Sequence, residues 1–244
     1  MQKEKIHLTG VKQTLLLTLY ARALESRSAN PVLRDPSAED TVDLLDYDFG
    51  ALKTQQVDEL LPVMRARLLD TWTAEFLAAN PGATVLSLGC GLDSRVLRVN
   101  PPASAQWYDL DYPDVIGLRQ RFFPERSGYR MIASSVTDPG WLEEVPGGGH
   151  AMVIAEGLLM YLSEDDVRQL LGRLLGRFSG GLLAFDAFSG VVVRIAKYAP
   201  GARIMGLRMR WGFDDPRQIE QWYPRLEFIA ETLILDSPGI DKLP

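Results

Sequence analysis

At 244 residues, 46% of them hydrophobic, the chain is long enough to close one medium-sized α/β domain around a real core. A formal charge of −6, with no block of lysine and arginine, gives a phosphate backbone little to hold, so nucleic acid is not expected as a partner. One cysteine, Cys90, rules out an internal disulfide framework; with no secretory leader and no 18-residue apolar run, a cytoplasmic protein off the membrane is expected.

The first segment, 1–56, reads as a helical cap: an apolar helical run from Leu15 to Leu24, then breaks at Asn30-Pro31 and Asp35-Pro36. A helix follows, with Val57, Leu60, Leu61, Met64, Leu68, Trp72 and Phe76 on one face and Pro62 placed in its first turn or at a kink. Thr84–Leu88 is an apolar strand running into Gly89-Cys90-Gly91-Leu92-Asp93-Ser94-Arg95, and Trp107–Asp111 is the next strand. Pro113 opens a helix carrying Val115, Ile116, Arg119 and Phe122. Tyr129–Ser134 reads as a third strand, 135–141 as a loop and Ala151–Ala155 as a fourth strand. Ser163 with Asp166 makes a capping box for a helix through Phe178, which Gly180-Gly181 ends before a fifth strand, Leu182–Phe188. Residues 189–224 are irregular, with a short helix at Asp215-Pro216, and Leu226–Leu235 is expected as a last strand.

Strands alternating with helices of 10–15 residues imply right-handed crossovers and a mainly parallel central sheet flanked by helices, a Rossmann-like α/β fold. A single domain is expected, with 57–188 as the ligand-binding core and 189–244 as a substrate-side insertion plus last strand. If the sheet ends without a further strand from 203–210, its free edge is expected to be covered by a second copy, giving a homodimer.

Gly89 and Gly91 let the backbone turn sharply and let a ligand approach amides at the positive end of a helix, while an acid about 20 residues on lies where a ribose hydroxyl would be held. That pattern serves nicotinamide dehydrogenases and S-adenosylmethionine methyltransferases alike. Ser94 replaces the third glycine of the dinucleotide fingerprint, and Asp93 would repel a pyrophosphate while tolerating a sulfonium. Glu156, at the end of the fourth strand, is a buried-strand carboxylate for which a ligand ammonium is a ready partner. Cys90 is read as a packing residue, no Cys or His spacing suggests a metal, and neither His7 nor His150 is placed as a base.

Thr9-Gly10-Val11, Tyr20-Ala21-Arg22-Ala23, Arg65 with Asp70, Leu88–Arg95, Trp107–Pro113, Asp138-Pro-Gly-Trp141 and Ala155–Leu162 resemble the leucine carboxyl methyltransferase family, within it the small branch linked to polyketide O-methylation. The resemblance spans residues 9 to about 235. It implies a class I fold using S-adenosylmethionine, released as S-adenosylhomocysteine, and transfer of methyl to a carboxylate or hydroxyl oxygen of a small molecule. By that similarity Arg65 grips the cofactor's carboxylate, and Gly89 and Gly91 line its methionine and ribose portion; Asp93, the anion near the helix start, is a further cofactor-binding candidate. Asp111 holds the ribose, with Asp109 as second candidate, and Glu156 faces the methionyl end. The family's Asp-Leu adenine contact stands here as Ser135-Val136, a departure that leaves Ser135 one polar contact to offer. Tyr161 is the candidate to orient the acceptor. Arg95 is read equally as structural, pairing with Asp93 or a helix end. Methylation of a protein's terminal carboxylate and a non-catalytic cofactor-binding scaffold remain the alternatives. The acceptor pocket is expected between the cap and 189–224, where Tyr198, Met205, Met209, Trp211 and Trp222 could line it.

Overall fold

The computed structural model describes residues 4–5, 14–52, 56–196 and 209–243. In chain order these hold β1 (Glu4–Lys5), α1 (Thr14–Ser26), α2 (Pro36–Leu44), β2 (Leu45–Asp46), α3 (Gln56–Ala79), β3 (Thr84–Leu88), α4 (Arg95–Val99), β4 (Gln106–Asp111), α5 (Pro113–Arg119), β5 (Tyr129–Ala133), β6 (His150–Ala155), α6 (Glu164–Arg177), β7 (Gly180–Phe185) and α7 (Gly190–Ala196). β1 and β2 form a short parallel pair; the other five strands form one parallel sheet in the order β5-β4-β3-β6-β7.

The central strand is buried on both faces, so it reads as a continuous apolar run. Alternation then divides the core. Val85, Trp107, Met152 and Ile154 pack on one face with Leu69 and Leu77 of α3 and Leu16 and Leu19 of α1. Leu86, Leu88, Leu110 and Val153 pack on the other with Val167, Leu170, Leu171 and Leu174 of α6. The capping box forms: Ser163 Oγ accepts from Asp166 N at 3.2 Å and Ser163 N donates to Asp166 Oδ2 at 3.2 Å.

Several boundaries differ from the sequence reading. α3 begins at Gln56, so Pro62 sits inside the helix and forfeits one backbone bond there. Residues 140–144, expected within or beside a loop, form a 3-10 turn that buries Trp141 and Leu142. Gly180-Gly181 do not terminate α6, which ends at Arg177; they open β7, pairing with His150 and Ala151, and β7 ends at Phe185 rather than Phe188. At Gly181 the strands approach so closely that an added Cβ would overlap the Ala151 carbonyl.

Leu226–Leu235 is not a strand. Its bonds are local: Leu226 N donates to Tyr223 O at 2.9 Å and Asp236 N to Leu233 O at 2.9 Å. Its apolar run suits a strand, yet pairing needs a partner edge within reach. Tyr223 is tied to Arg168 O of α6 at 2.8 Å and Lys242 to Glu25 of α1 at 3.1 Å, so the segment is tethered at both ends to helices. Ile229, Leu233 and Leu235 are left exposed. Among the described residues no helix is long and apolar enough to cross a membrane.

Candidate active site

β4 lies on one side of β3 and β6 on the other, so the strand order reverses at the β3–β6 junction, where ligands sit outside the carboxyl ends of open parallel sheets. Four polar or glycine positions meet on that rim: Gly89 directly after β3, Asp111 ending β4, Glu156 after β6 and Asp186 after β7. Register sets the last two side by side, since Ala155 pairs with Phe185.

Gly89 (φ 64°) and Gly91 (φ 51°) both adopt the left-handed region, which glycine enters without penalty. A Cβ on Gly89 would meet Leu158 at 3.1 Å. Gly89 N and Cys90 N both donate to Leu110 O, at 2.8 and 3.1 Å, and Gly91 N donates to Asp111 Oδ2 at 2.8 Å. Asp111 also accepts from Tyr112 N at 2.7 Å. Burial raises its pKa above the ordinary carboxylate value against the pull of these two amides.

Arg65, on α3, donates Nε to Glu156 Oε1 at 2.9 Å and Nη1 to Asp186 Oδ2 at 2.7 Å. Glu156 Oε2 accepts from Arg95 Nη2 at 2.5 Å. Arg95 Nε reaches Asp70 at 2.6 Å, and its Nη2 lies 3.1 Å from Asp93. Arg98 bonds Asp70, Asp93, Asp35 and Ser94, and Arg22 of the cap bonds Asp35 and the Leu92 carbonyl. Asp35 in turn caps α2 through Ala38 N at 3.0 Å. The chain of charge thus runs from cap to strand tips. Although burial opposes ionisation, Arg65 and Arg95 hold Glu156 below its usual pKa, and Arg95, Arg98 and Arg22 hold Asp93 well below its own.

The sequence-derived residues fall into four groups. Arg65, Gly89, Gly91, Asp93, Asp111 and Glu156 come together on the rim or in the network behind it. Ser135 and Val136 follow β5 beside Asp111, whose carbonyl accepts from Ser134 N at 2.9 Å; Ser135 Oγ pairs with Thr137 Oγ1 at 2.8 Å, and Trp141 and Arg173 fix the Val136 carbonyl. Tyr161 is half-buried; burial and then the charge of Asp186 raise its phenol pKa, against Arg65.

Asp109 does not belong to the rim. It is 1% exposed, facing inward where Trp107 Nε1, Arg119 and Tyr129 Oη reach it at 2.8, 2.5 and 2.7 Å. A shift of one residue along a strand reverses the face, but two residues keep it, so the strand's end is what separates Asp109 from Asp111. Arg22, of the Tyr20-Ala21-Arg22-Ala23 motif, is buried at 2% exposure. Trp211 and Trp222 pack as part of the second core cluster, with Trp211 against Phe213 at 4.8 Å between centroids. Tyr198 and Met205 lie outside the described residues, as do His7 and the Thr9-Gly10-Val11 motif. His150 bonds Asn80 at the amino end of the sheet, 2.9 Å away, far from the rim. Burial pushes the Cys90 thiol pKa up, against Arg119, so it is no nucleophile.

Sequence reading missed Asp186, Arg98, Asp35 and Ser94. Asp186 had a signal, an acid near the end of the fifth strand, but a strand drawn to Phe188 hid it.

The residues at the rim suit an amino-acid zwitterion joined to a sulfonium. Arg65 offers a guanidinium and Glu156 a carboxylate, charges of the signs that could hold such a carboxylate and ammonium. Across the ion-pair network five carboxylates (Asp35, Asp70, Asp93, Glu156, Asp186) face four guanidiniums (Arg22, Arg65, Arg95, Arg98), a net of one negative charge.

A family model described as leucine carboxyl methyltransferase matches residues 15–175. The chain is 46% identical over 235 residues to the tetracenomycin polyketide synthesis O-methyltransferase TcmP of Streptomyces glaucescens, covering 96% of this chain and 87% of that protein. It is 36% identical over 256 residues to the S-adenosyl-L-methionine-dependent methyltransferase dpfgK of Gibberella zeae, covering 96% and 86%. Among solved structures, an O-methyltransferase family protein from Burkholderia thailandensis shares the fold with a TM-score of 0.51 at 17% identity, over 93% of this chain and 68% of that one. Fold, rim and relatives together define an S-adenosylmethionine-dependent methyltransferase with the class I architecture. Within that class, the chain belongs to the leucine carboxyl methyltransferase family.

Proposed function

We propose that the protein methylates a carboxylate oxygen of a small, polyketide-like molecule. The charged rim over the glycine turn, with Arg65 held between Glu156 and Asp186, is the observation that carries the reading. S-adenosylmethionine, when bound, supplies an already activated methyl on its sulfonium. The chain's part is then to bind, align and exclude water.

Arg65 takes the methionyl carboxylate and Glu156 the ammonium, while the backbone at Gly89 and Gly91 gives the donor close approach. Asp93 adds negative charge behind the turn, Asp111 accepts from a ribose hydroxyl, and Ser135 and Val136 border the adenine. Tyr161 keeps its proton at neutral pH, so it donates a hydrogen bond to the acceptor rather than taking a proton. That favours an acceptor oxygen ionised on its own, as a carboxylate is. The name of the 46%-identical relative points to a polyketide.

Isothermal titration is expected to show S-adenosylhomocysteine binding with NAD silent, and the reverse would overturn the reading. With methyl-labelled cofactor and a panel of carboxylated and phenolic polyketides, label is expected as methyl ester. Label on phenols alone would replace the carboxylate with a hydroxyl acceptor.

A further inference from the structure

A guanidinium offers a carboxylate two docking edges, one made of Nε and Nη2 and the other of Nη1 and Nη2. On Arg65, Glu156 occupies Nε and Asp186 occupies Nη1, so each edge is already half taken by the protein's own carboxylates. Nη2, the nitrogen both edges share, faces Gly157, where an added Cβ would lie 3.6 Å away. A bidentate grip on any incoming carboxylate therefore requires one of the two residents to withdraw.

They are not equally held. Glu156 is bound through its other oxygen by Arg95 at 2.5 Å, and its side chain is 11% exposed. Asp186 pairs with Arg65 as its one ion-pair cation among the described residues, accepts from Gly157 N at 2.6 Å through its other oxygen, and is 19% exposed. Asp186 can release Nη1, keep the Gly157 amide and turn the freed oxygen toward water. Glu156 has no such exit.

We infer that Asp186 competes with the cofactor's carboxylate for Arg65, and so sets how tightly the cofactor is held. The inference rests on Arg65 receiving that carboxylate, as proposed above. Exchange of one anion for another keeps the half-buried guanidinium paired throughout, at the expense of affinity, because the fraction of Arg65 held by Asp186 is unavailable to the ligand.

The test is titration of wild type and Asp186→Asn with S-adenosylhomocysteine and with its decarboxylated analogue, which keeps the ammonium. Wild type is expected to prefer S-adenosylhomocysteine. Asp186→Asn is expected to tighten S-adenosylhomocysteine about three- to tenfold and leave the analogue unchanged. Weakening of both ligands would mean that Asp186 holds the ammonium instead, and overturns the inference, as does unchanged S-adenosylhomocysteine affinity. If wild type does not distinguish the two ligands, the Arg65 reading falls and this inference with it; discrimination without tightening removes this inference alone. Should Asp186→Asn fail to fold, a crystal of wild type with S-adenosylhomocysteine decides: Arg65 Nη1 more than 4 Å from Asp186 is expected, and retention of the present 2.7 Å contact overturns the exchange.

Discussion

Two arginine–aspartate pairs, one at β4 and one at the tip of β7 with β3 and β6 between them, differ in kind. Arg119 and Asp109 are sealed: both side chains are almost inaccessible, and Trp107 and Tyr129 complete the shell around the carboxylate. Arg119 also donates to the Gly91 carbonyl at 3.1 Å, so the cluster braces the glycine turn from beneath. Arg65 and Asp186 meet at the strand tips with 24% and 19% of their side chains exposed. The first pair has no freedom to exchange partners. The second can do so because water reaches it. A buried ion pair thus serves as scaffold or as site according to whether either member has somewhere else to go.

The largest effect is expected from breaking the sealed pair. Arg119→Met strands the Asp109 charge in the core and should cost about 3–5 kcal/mol of stability, read by chemical denaturation. Substitution at the open pair should act on binding instead. Arg65→Ala is expected to weaken S-adenosylhomocysteine by about 1.5–3 kcal/mol in titration while the melting temperature moves little. Equal losses of stability in both variants would erase the distinction.

Acid sharpens it further. Asp93 ionises in the folded protein at well below its unfolded value, so it contributes stability above about pH 4 that is lost as pH falls through the folded pKa. Asp93→Asn should flatten the fall in melting temperature below pH 4, and an unchanged slope would show that the network does not report on that charge. The smallest effect lies away from both pairs: Ser163→Ala removes the α6 cap, for about 1 kcal/mol or roughly 2–4 °C in melting temperature, with ligand binding intact.

What could be read from the sequence follows the same division. The alternation of apolar strands with helices, the glycine turn and the capping box are local patterns, and each appears where the residues place it. Asp109 and Asp111 could not be separated without the strand's end, which hydrogen bonding decides. The charge network escaped because its members come from α1, the α2 cap, α3, α4 and two strand tips, and no spacing along the chain announces that Arg98 will meet Asp35. The segment 226–235 shows the converse: its apolar, strand-prone composition is genuine, but pairing depends on a neighbouring edge that sequence does not display.

Gly181 carries a consequence for anyone mapping this enzyme by saturation mutagenesis. Every side chain there collides with the peptide of the adjoining strand, so the position should tolerate nothing, although it stands at the far pole of the sheet from Asp186. A score of mutational intolerance would rank it among the residues that hold the methyl donor, and only the steric origin of its silence tells the two apart.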